Sequence, residues 1–199
     1  MKRLIIKTAA ITLAAIFGVF VLGVVGMTLF APGAMGDLCQ QTGSYGLAAW
    51  YAELDYAKSK EIDKLARVIY LADLAGNDET LVEYCPQMAA HRDFSAFCKE
   101  TDQAENPLYS NLGGYRTFLY SAYAEALYQT GEKTTALTVA ADEVAKSGYG
   151  EVNPVRALIA CAAEDDAFLG EILARLEFLT VPSGQKALEA DIALLQQQD

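Results

Sequence analysis

The sequence has a single histidine, and its four cysteines form no Cys-x-x-Cys pair. Structural zinc sites draw four ligands mainly from these two residue types, so the sequence offers no such site. No stretch alternates apolar and polar residues for long enough to predict a β-strand. These absences predict an all-α protein, and no residue pattern calls for a metal ion or another cofactor.

Charge is missing from a long stretch near the N-terminus. No acidic residue precedes Asp37, and no basic residue lies between Lys7 and Lys58. Within this stretch, residues 8–30 carry no charge at all. A helix of this length extends roughly 35 Å and can cross a hydrocarbon core of about 30 Å. The sequence therefore predicts a single-pass membrane anchor that contacts the lipid bilayer through residues 8–30.

The predicted orientation of this anchor follows from Lys2, Arg3 and Lys7, which precede the apolar segment. Because basic residues favour the cytoplasmic side, we expect a cytoplasmic N-terminus and an extracytoplasmic remainder at the cell membrane of a bacterium. The alternative is a cleaved signal peptide, although its apolar region is usually only about 7–15 residues long. Ala14 and Gly18 form a small-xxx-small pair that can pack membrane helices together, or they reflect the general frequency of small residues there.

The remainder of the chain is acidic. The chain after the apolar segment contains 12 basic and 26 acidic residues, which gives it a formal charge of −14. Such a surface repels polyanions and excludes nucleic acid as a partner, whereas it suits a basic protein or serves solubility alone. We divide the chain into a cytoplasmic tip and transmembrane helix (1–31), a linker (32–43) and an extracytoplasmic domain of about seven to nine helices (44–199).

Two segments of this domain share a pattern of helix, glycine turn and second helix, around Gly76 and Gly131. An apolar residue follows each glycine by five positions, namely Leu81 and Ala136. The pattern resembles the tetratricopeptide-type (TPR-like) helical hairpin, although the two copies stand 55 residues apart and Pro86 interrupts the first. The resemblance implies an irregular stack of hairpins with a groove that holds a peptide or a partner protein.

Apolar stripes and tyrosines mark the predicted core and the candidate binding surface. Leu47, Trp50, Tyr51 and Leu54 follow helical spacing, which predicts one buried face. Tyrosines are dense around residues 109–128, beyond what one buried helix face can hold, and tyrosine is favoured at binding surfaces. The tyrosines assigned to a partner groove are Tyr109, Tyr115, Tyr120 and Tyr128.

The cysteines allow two interpretations. An even number in an extracytoplasmic domain favours disulfides, and Cys85 and Cys98 are the first pair to expect because they lie across a predicted hairpin. Alternatively, all four are small buried residues. A Cys–His nucleophile built with His91 lacks any sequence signature around the cysteines.

No catalytic motif is present, so we expect a scaffold or accessory subunit that binds another envelope or membrane protein, as part of a membrane complex. The alternative is an envelope enzyme, such as a cell-wall hydrolase. Carboxylates from three helices that meet in one cleft would favour the enzyme.

Overall fold

The computed structural model describes residues 2–104 and 107–197, with side chains from Thr12 onward except that of Pro107. Helices make up 79% of the structure, and the described residues form no strand, which confirms the prediction of an all-α protein. The described helices are α1 (Lys2–Phe30), α2 (Pro32–Gln41), α3 (Tyr45–Ser59), α4 (Ile62–Ala75), α5 (Asp78–Ala89), α6 (Phe94–Gln103), α7 (Pro107–Ser110), α8 (Tyr115–Gln129), α9 (Lys133–Ser147), α10 (Pro154–Cys161), α11 (Asp166–Glu177) and α12 (Gln185–Leu195).

The contacts divide the chain into two compact units, Met1–Leu71 and Ala72–Asp199, with the boundary inside α4. The predicted linker 32–43 contains helix α2. Pro32 occupies the first turn of α2, where its missing N–H costs nothing and its fixed φ favours the helix. Gly36 lies inside α2 and packs against α3, since an added Cβ would lie 3.5 Å from the Ala48 carbonyl oxygen.

Helix α1 contains one segment, Thr12–Phe30, that is long and apolar enough to cross a membrane, and none of this segment is buried by the rest of the chain. Nothing lies within 4 Å of a Cβ built at Gly18, so its pairing with Ala14 remains a prediction about a second helix. Lys2, Arg3 and Lys7, on which the predicted orientation depends, lie outside the described side chains.

Helix α3 packs on α2 through a face of small residues and two tyrosines. Ala48, Ala52 and Tyr56 recur every four residues on this face and are buried, together with Tyr51. The predicted core stripe of α3 is therefore wrong at two positions, because Leu47 is 58% exposed and Trp50 is 46% exposed. The alanines let the α2 backbone approach, and this contact turns Leu47 and Trp50 outward.

The second unit is built around α8, which packs against α5, α9 and α10. Helix α9 follows α8 through Gly131, whose φ of +89° suits glycine, and Ala136 and Ala140 are fully buried where the two helices meet. Gly76 has a φ of +62° in the corresponding turn between α4 and α5. Helix α5 continues through Pro86 without a break, contrary to expectation.

Two arginines hold buried carboxylates in the second unit. Arg116 binds Glu143 through two hydrogen bonds of 2.5 and 2.9 Å, and Glu143 is 3% exposed. Arg156 binds Asp191 in the same bidentate way, at 2.7 and 3.0 Å, and the fully buried Tyr149 donates its hydroxyl to Asp191 at 2.8 Å. Paired geometry of this kind satisfies charges that would otherwise be costly to bury.

Candidate functional site

A cleft of about 400 Å³ opens in the second unit. Its walls come from α8, from the start of α10 with the residues before it, and from Asp73 near the end of α4. The apolar wall residues are Leu112, Phe118, Ala122, Val152 and Ala157. The main polar side chains at the cleft are Asp73, Ser121, Glu125 and Arg156. Mostly apolar walls with a few polar groups are typical of a ligand site.

Glu125 is the most perturbed acid at this cleft. Burial raises the pKa of its carboxyl to about 7, and the negative charges of Asp73 and Asp78 add to the shift. Burial and then Asp78 also raise the pKa of Asp73, although much of the Asp73 side chain stays in contact with solvent at the rim. No residue among those described donates a hydrogen bond or forms an ion pair to the Glu125 carboxyl. The cleft therefore contains a partly desolvated carboxyl, that of Glu125, without a basic partner among the described residues.

These acids come from three different helices, since Asp73 lies on α4, Asp78 begins α5 and Glu125 lies on α8. Asp78 acts on the pKa of its neighbours without lining the cleft. In the described part of the chain, only Asp73 and Glu125 are helical acids that line the cleft, so two helices contribute instead of the three that would favour an enzyme. Among the described residues, no group of three or more His, Cys, Asp or Glu could hold a metal ion.

Arg156 lines the same cleft but does not neutralise it. Its guanidinium is held by both carboxylate oxygens of Asp191, and its Nη1 donates to the Glu151 carbonyl at 2.7 Å. Because Asp191 already balances the Arg156 charge, the net charge of the cleft stays negative. A cationic group is the ligand chemistry that this arrangement favours.

Ser121 supplies an unused hydrogen-bonding group on the wall of the cleft. Its Oγ is buried and has no hydrogen-bond partner among the residues that the structure describes. A buried hydroxyl without a partner costs about 1–3 kcal/mol, which a bound polar group can recover. Ser121 and Glu125 are four residues apart on α8 and so lie on the same face of that helix.

The predicted partner-binding tyrosines do not form one surface. Tyr115 is fully buried and Tyr109 is 8% exposed, and their rings pack edge to face at 4.9 Å. For these two residues, core packing replaces the predicted groove, because α7 and α8 place them against each other and against Phe118. Tyr120 and Tyr128 are half-buried, and Tyr128 donates a hydrogen bond to Asp165 at 3.2 Å. A partner-binding role for Tyr120 and Tyr128 stays a prediction.

The cysteines are free thiols, so the Cys85–Cys98 disulfide is not formed in this structure. Both side chains are buried, and both lie close enough to the Tyr115 hydroxyl to contribute to its raised pKa. Burial raises the pKa of Cys98 to about 11 and that of Cys85 further, which disfavours the reactive thiolate. His91 accepts a hydrogen bond from the Asp93 backbone N–H at 3.2 Å, which is a local turn contact.

We expect the free energy of unfolding to depend on the protonation of Glu125. Since the pKa of its carboxyl is about 7 in the folded chain and ordinarily 4.5, the folded state holds the proton more tightly. The resulting stabilisation is complete below about pH 4.5 and is lost as the pH rises through about 7. Glu125→Gln should therefore leave stability unchanged at pH 4.5 and raise it by about 2 kcal/mol at pH 8, a value reduced for partial solvation.

Urea unfolding from pH 4.5 to 8 measures this effect. The control is Glu100→Gln, which removes an exposed carboxylate from α6 and should shift stability by no more than about 0.5 kcal/mol at any pH. Equal pH profiles for the Glu125 variant and the wild type would show that the carboxyl is not desolvated.

This cleft was not predicted from the sequence, although the residue spacing on α8 contains one indication of it. Phe118, Ala122 and Glu125 lie on one side of α8 by helical spacing, so an acid stands at the end of an apolar stripe. A charged residue in that position is either a boundary with solvent or a polar group at a site. Only the fold decides between these, because Asp73 and Arg156 come from distant parts of the chain.

Comparison with known protein families, with characterised proteins and with solved structures finds no match to this chain.

Proposed function

We propose that this chain is a single-pass membrane protein with a cytoplasmic N-terminus, whose extracytoplasmic helical body binds a basic segment of another envelope or membrane protein. It acts as a scaffold or accessory subunit of a membrane complex. The exposed apolar length of α1 supports the anchor. The α8–Gly131–α9 hairpin, with its buried Ala136, supports a TPR-like arrangement.

The observation that carries the proposal is the uncompensated acid in the apolar cleft. A lysine or arginine side chain can lay its aliphatic stem along Phe118 and Ala122 while its charged head reaches Glu125. The backbone next to such a side chain can offer a hydrogen bond to the Ser121 hydroxyl. A basic partner also matches the formal charge of −14 on the chain after the apolar segment.

Photo-crosslinking in intact cells tests this function. A photoreactive amino acid replaces Leu112 or Val152, which lie at the cleft and are 40% and 44% exposed. The control position is Phe178, which is 87% exposed and does not line the cleft. We expect one defined protein adduct from the two cleft positions and none from the control, with mass spectrometry showing a Lys- or Arg-rich segment at the crosslink.

Glu125→Gln in the crosslinking background should reduce the adduct about tenfold, because it removes the charge that the basic segment contacts. Higher salt should reduce it as well, since exposed charge pairs are screened. An adduct that is equally strong from Phe178, or an adduct indifferent to Glu125, would contradict binding in the cleft.

A cell-wall hydrolase is the second candidate, and the raised pKa of Glu125 is the observation that favours it. A carboxyl with a pKa of about 7 can donate a proton to a leaving group at neutral pH, and Asp73 is a second carboxylate nearby. Digestion of purified cell-wall polysaccharide by the full chain tests this function. Measurable release of fragments that falls at least about 100-fold in Glu125→Gln would establish the enzyme, whereas a binding protein releases none.

A further inference from the structure

We propose that α3 lies in the outer interface of the membrane, with the face formed by Leu47, Trp50 and Leu54 in contact with lipid at the boundary between headgroups and acyl chains. We call these three residues the α3 outer face. This inference rests on the membrane anchoring proposed above, and it adds a second lipid contact to that of α1.

The α3 outer face is apolar, and two of its three residues are exposed, while Leu54 is half-buried. At 100° per residue its three residues fall within an arc of about 60°. Leu47 and Trp50 are 58% and 46% exposed, while the buried alanines of α3 lie on the opposite side against α2. Glu53 and Asp55 fall outside the arc, one on each side. Helix α3 thus has two apolar faces, of which one is buried against α2 and the other is largely exposed.

Two contacts fix α3 against the outer end of α1. The Tyr51 hydroxyl lies 3.3 Å from the Thr28 Oγ1, and the Lys58 Nζ donates to the Leu29 carbonyl at 2.6 Å. Tyr51 and Lys58 are about 10 Å apart along α3, but their partners are adjacent residues of α1. Two residues about two turns apart on α3 therefore both reach the last turn of α1, so α3 lies against that end of α1. In the proposed topology this places α3 next to the outer boundary of the membrane.

The Tyr51 contact with Thr28 also places Trp50 near the outer end of α1. Thr28 precedes the end of α1 by two residues, which is about 3 Å of helix rise. The Trp50 ring centroid is 4.9 Å from that of Tyr51. Through Tyr51, Trp50 thus lies near the outer end of the segment Thr12–Phe30, in the region where the hydrocarbon core would give way to headgroups.

The residue types on α3 suit this level. Tryptophan is enriched where one part of its ring meets acyl chains and its N–H meets water. Lys58 caps the negative end of the α1 dipole and keeps its ammonium at the surface. Lipid is favoured over a protein partner because α3 contacts the last turn of α1, whose apolar side chains are also exposed, with Phe30 at the end 88% exposed.

Trp50 is the only tryptophan of the chain, so tryptophan fluorescence, excited selectively over that of the tyrosines, reports on this face alone. The full chain is reconstituted into vesicles of phosphatidylcholine and phosphatidylglycerol that carry bromine either near the headgroup or near the end of the acyl chain. We expect Trp50 emission to be quenched by shallow bromines more strongly than by deep ones, and to be shielded from iodide in the water. Leu47→Lys should increase the quenching by iodide.

A matched variant separates this inference from the anchor itself. Trp50→Phe combined with Phe20→Trp moves the single tryptophan to the middle of the predicted span, where deep bromines should quench it most. If that variant reports insertion while Trp50 is quenched by iodide and by neither lipid, α3 lies in water and the inference is overturned. If the variant reports no insertion, then α1 does not span the membrane, and both the proposed anchor and the lipid contact of α3 are overturned. Shielding of Trp50 in native membranes but not in vesicles would assign the face to a protein partner and also overturn the inference.

Discussion

Replacing Gly184 with alanine is expected to destabilise the protein by about 3–5 kcal/mol. Gly184 has a φ of +83°, a conformation that alanine adopts only with strain. A Cβ at this position would also lie 2.0 Å from the carbonyl oxygen of Tyr149 and 2.6 Å from its carbonyl carbon. Both atoms belong to the backbone, so no side-chain rotation can relieve the overlap. The Tyr149 N–H is held in turn by the Ser183 carbonyl at 2.9 Å, which ties the two segments together.

Urea unfolding of the detergent-solubilised chain, followed by circular dichroism, measures this loss. The matched control is Gly170→Ala, because Gly170 lies inside α11 with no atom within 4 Å of an added Cβ. That substitution should raise stability by about 0.5–1 kcal/mol through helix propensity. Opposite signs for the two glycines are the expected result, and a neutral Gly184 variant would mean that α12 does not pack on the Tyr149 segment in this way.

The second large effect is expected for Asp191→Ala, at about 3 kcal/mol of lost stability. The Asp191 side chain accepts from both the Tyr149 hydroxyl and the Arg156 guanidinium, and Asp191 is 6% exposed. Its removal leaves a fully buried phenol without an acceptor and an arginine without its counter-ion. Asp191→Asn should recover part of the loss, because an amide oxygen can still accept from Tyr149.

An exposed pair of the same composition provides the comparison. Arg175 and Asp142 lie 3.4 Å apart, with side chains that are about half exposed. Asp142→Ala should cost no more than about 0.5 kcal/mol, since exposed ion pairs contribute little. Equal losses for the two aspartates would contradict the role of burial at Asp191.

Helical spacing and capping residues predicted most of the fold, because they are local. Asn153 accepts from two backbone N–H groups at the start of α10, and Pro154 follows it, which is a pairing of residue types that favours a helix start. The region 32–43 was harder, since Pro32 and Gly36 can either break a helix or begin and pack one. Only contact with α3 decides between these.

Burial was less predictable than helix position. The spacing of Leu47 and Trp50 matches a core stripe, but tertiary contact selected the opposite, alanine-rich face of α3. Tyr115 belongs to a residue type that is favoured at binding surfaces, yet its side chain is fully buried. The candidate site depends on desolvation of Glu125 by residues far apart in the chain, and no single stretch of sequence contains that information.

The junction between α1 and α2 has a mechanical consequence. Ala31 is the one non-helical residue between these two helices, and Tyr51 and Lys58 clamp the outer end of α1 from the other side. Helices α1 and α2 are therefore joined without a flexible linker. In the membrane topology proposed above, a thinner bilayer would make α1 tilt, and α2 and α3 would turn with it, so that the thickness of the membrane would set the angle of these helices.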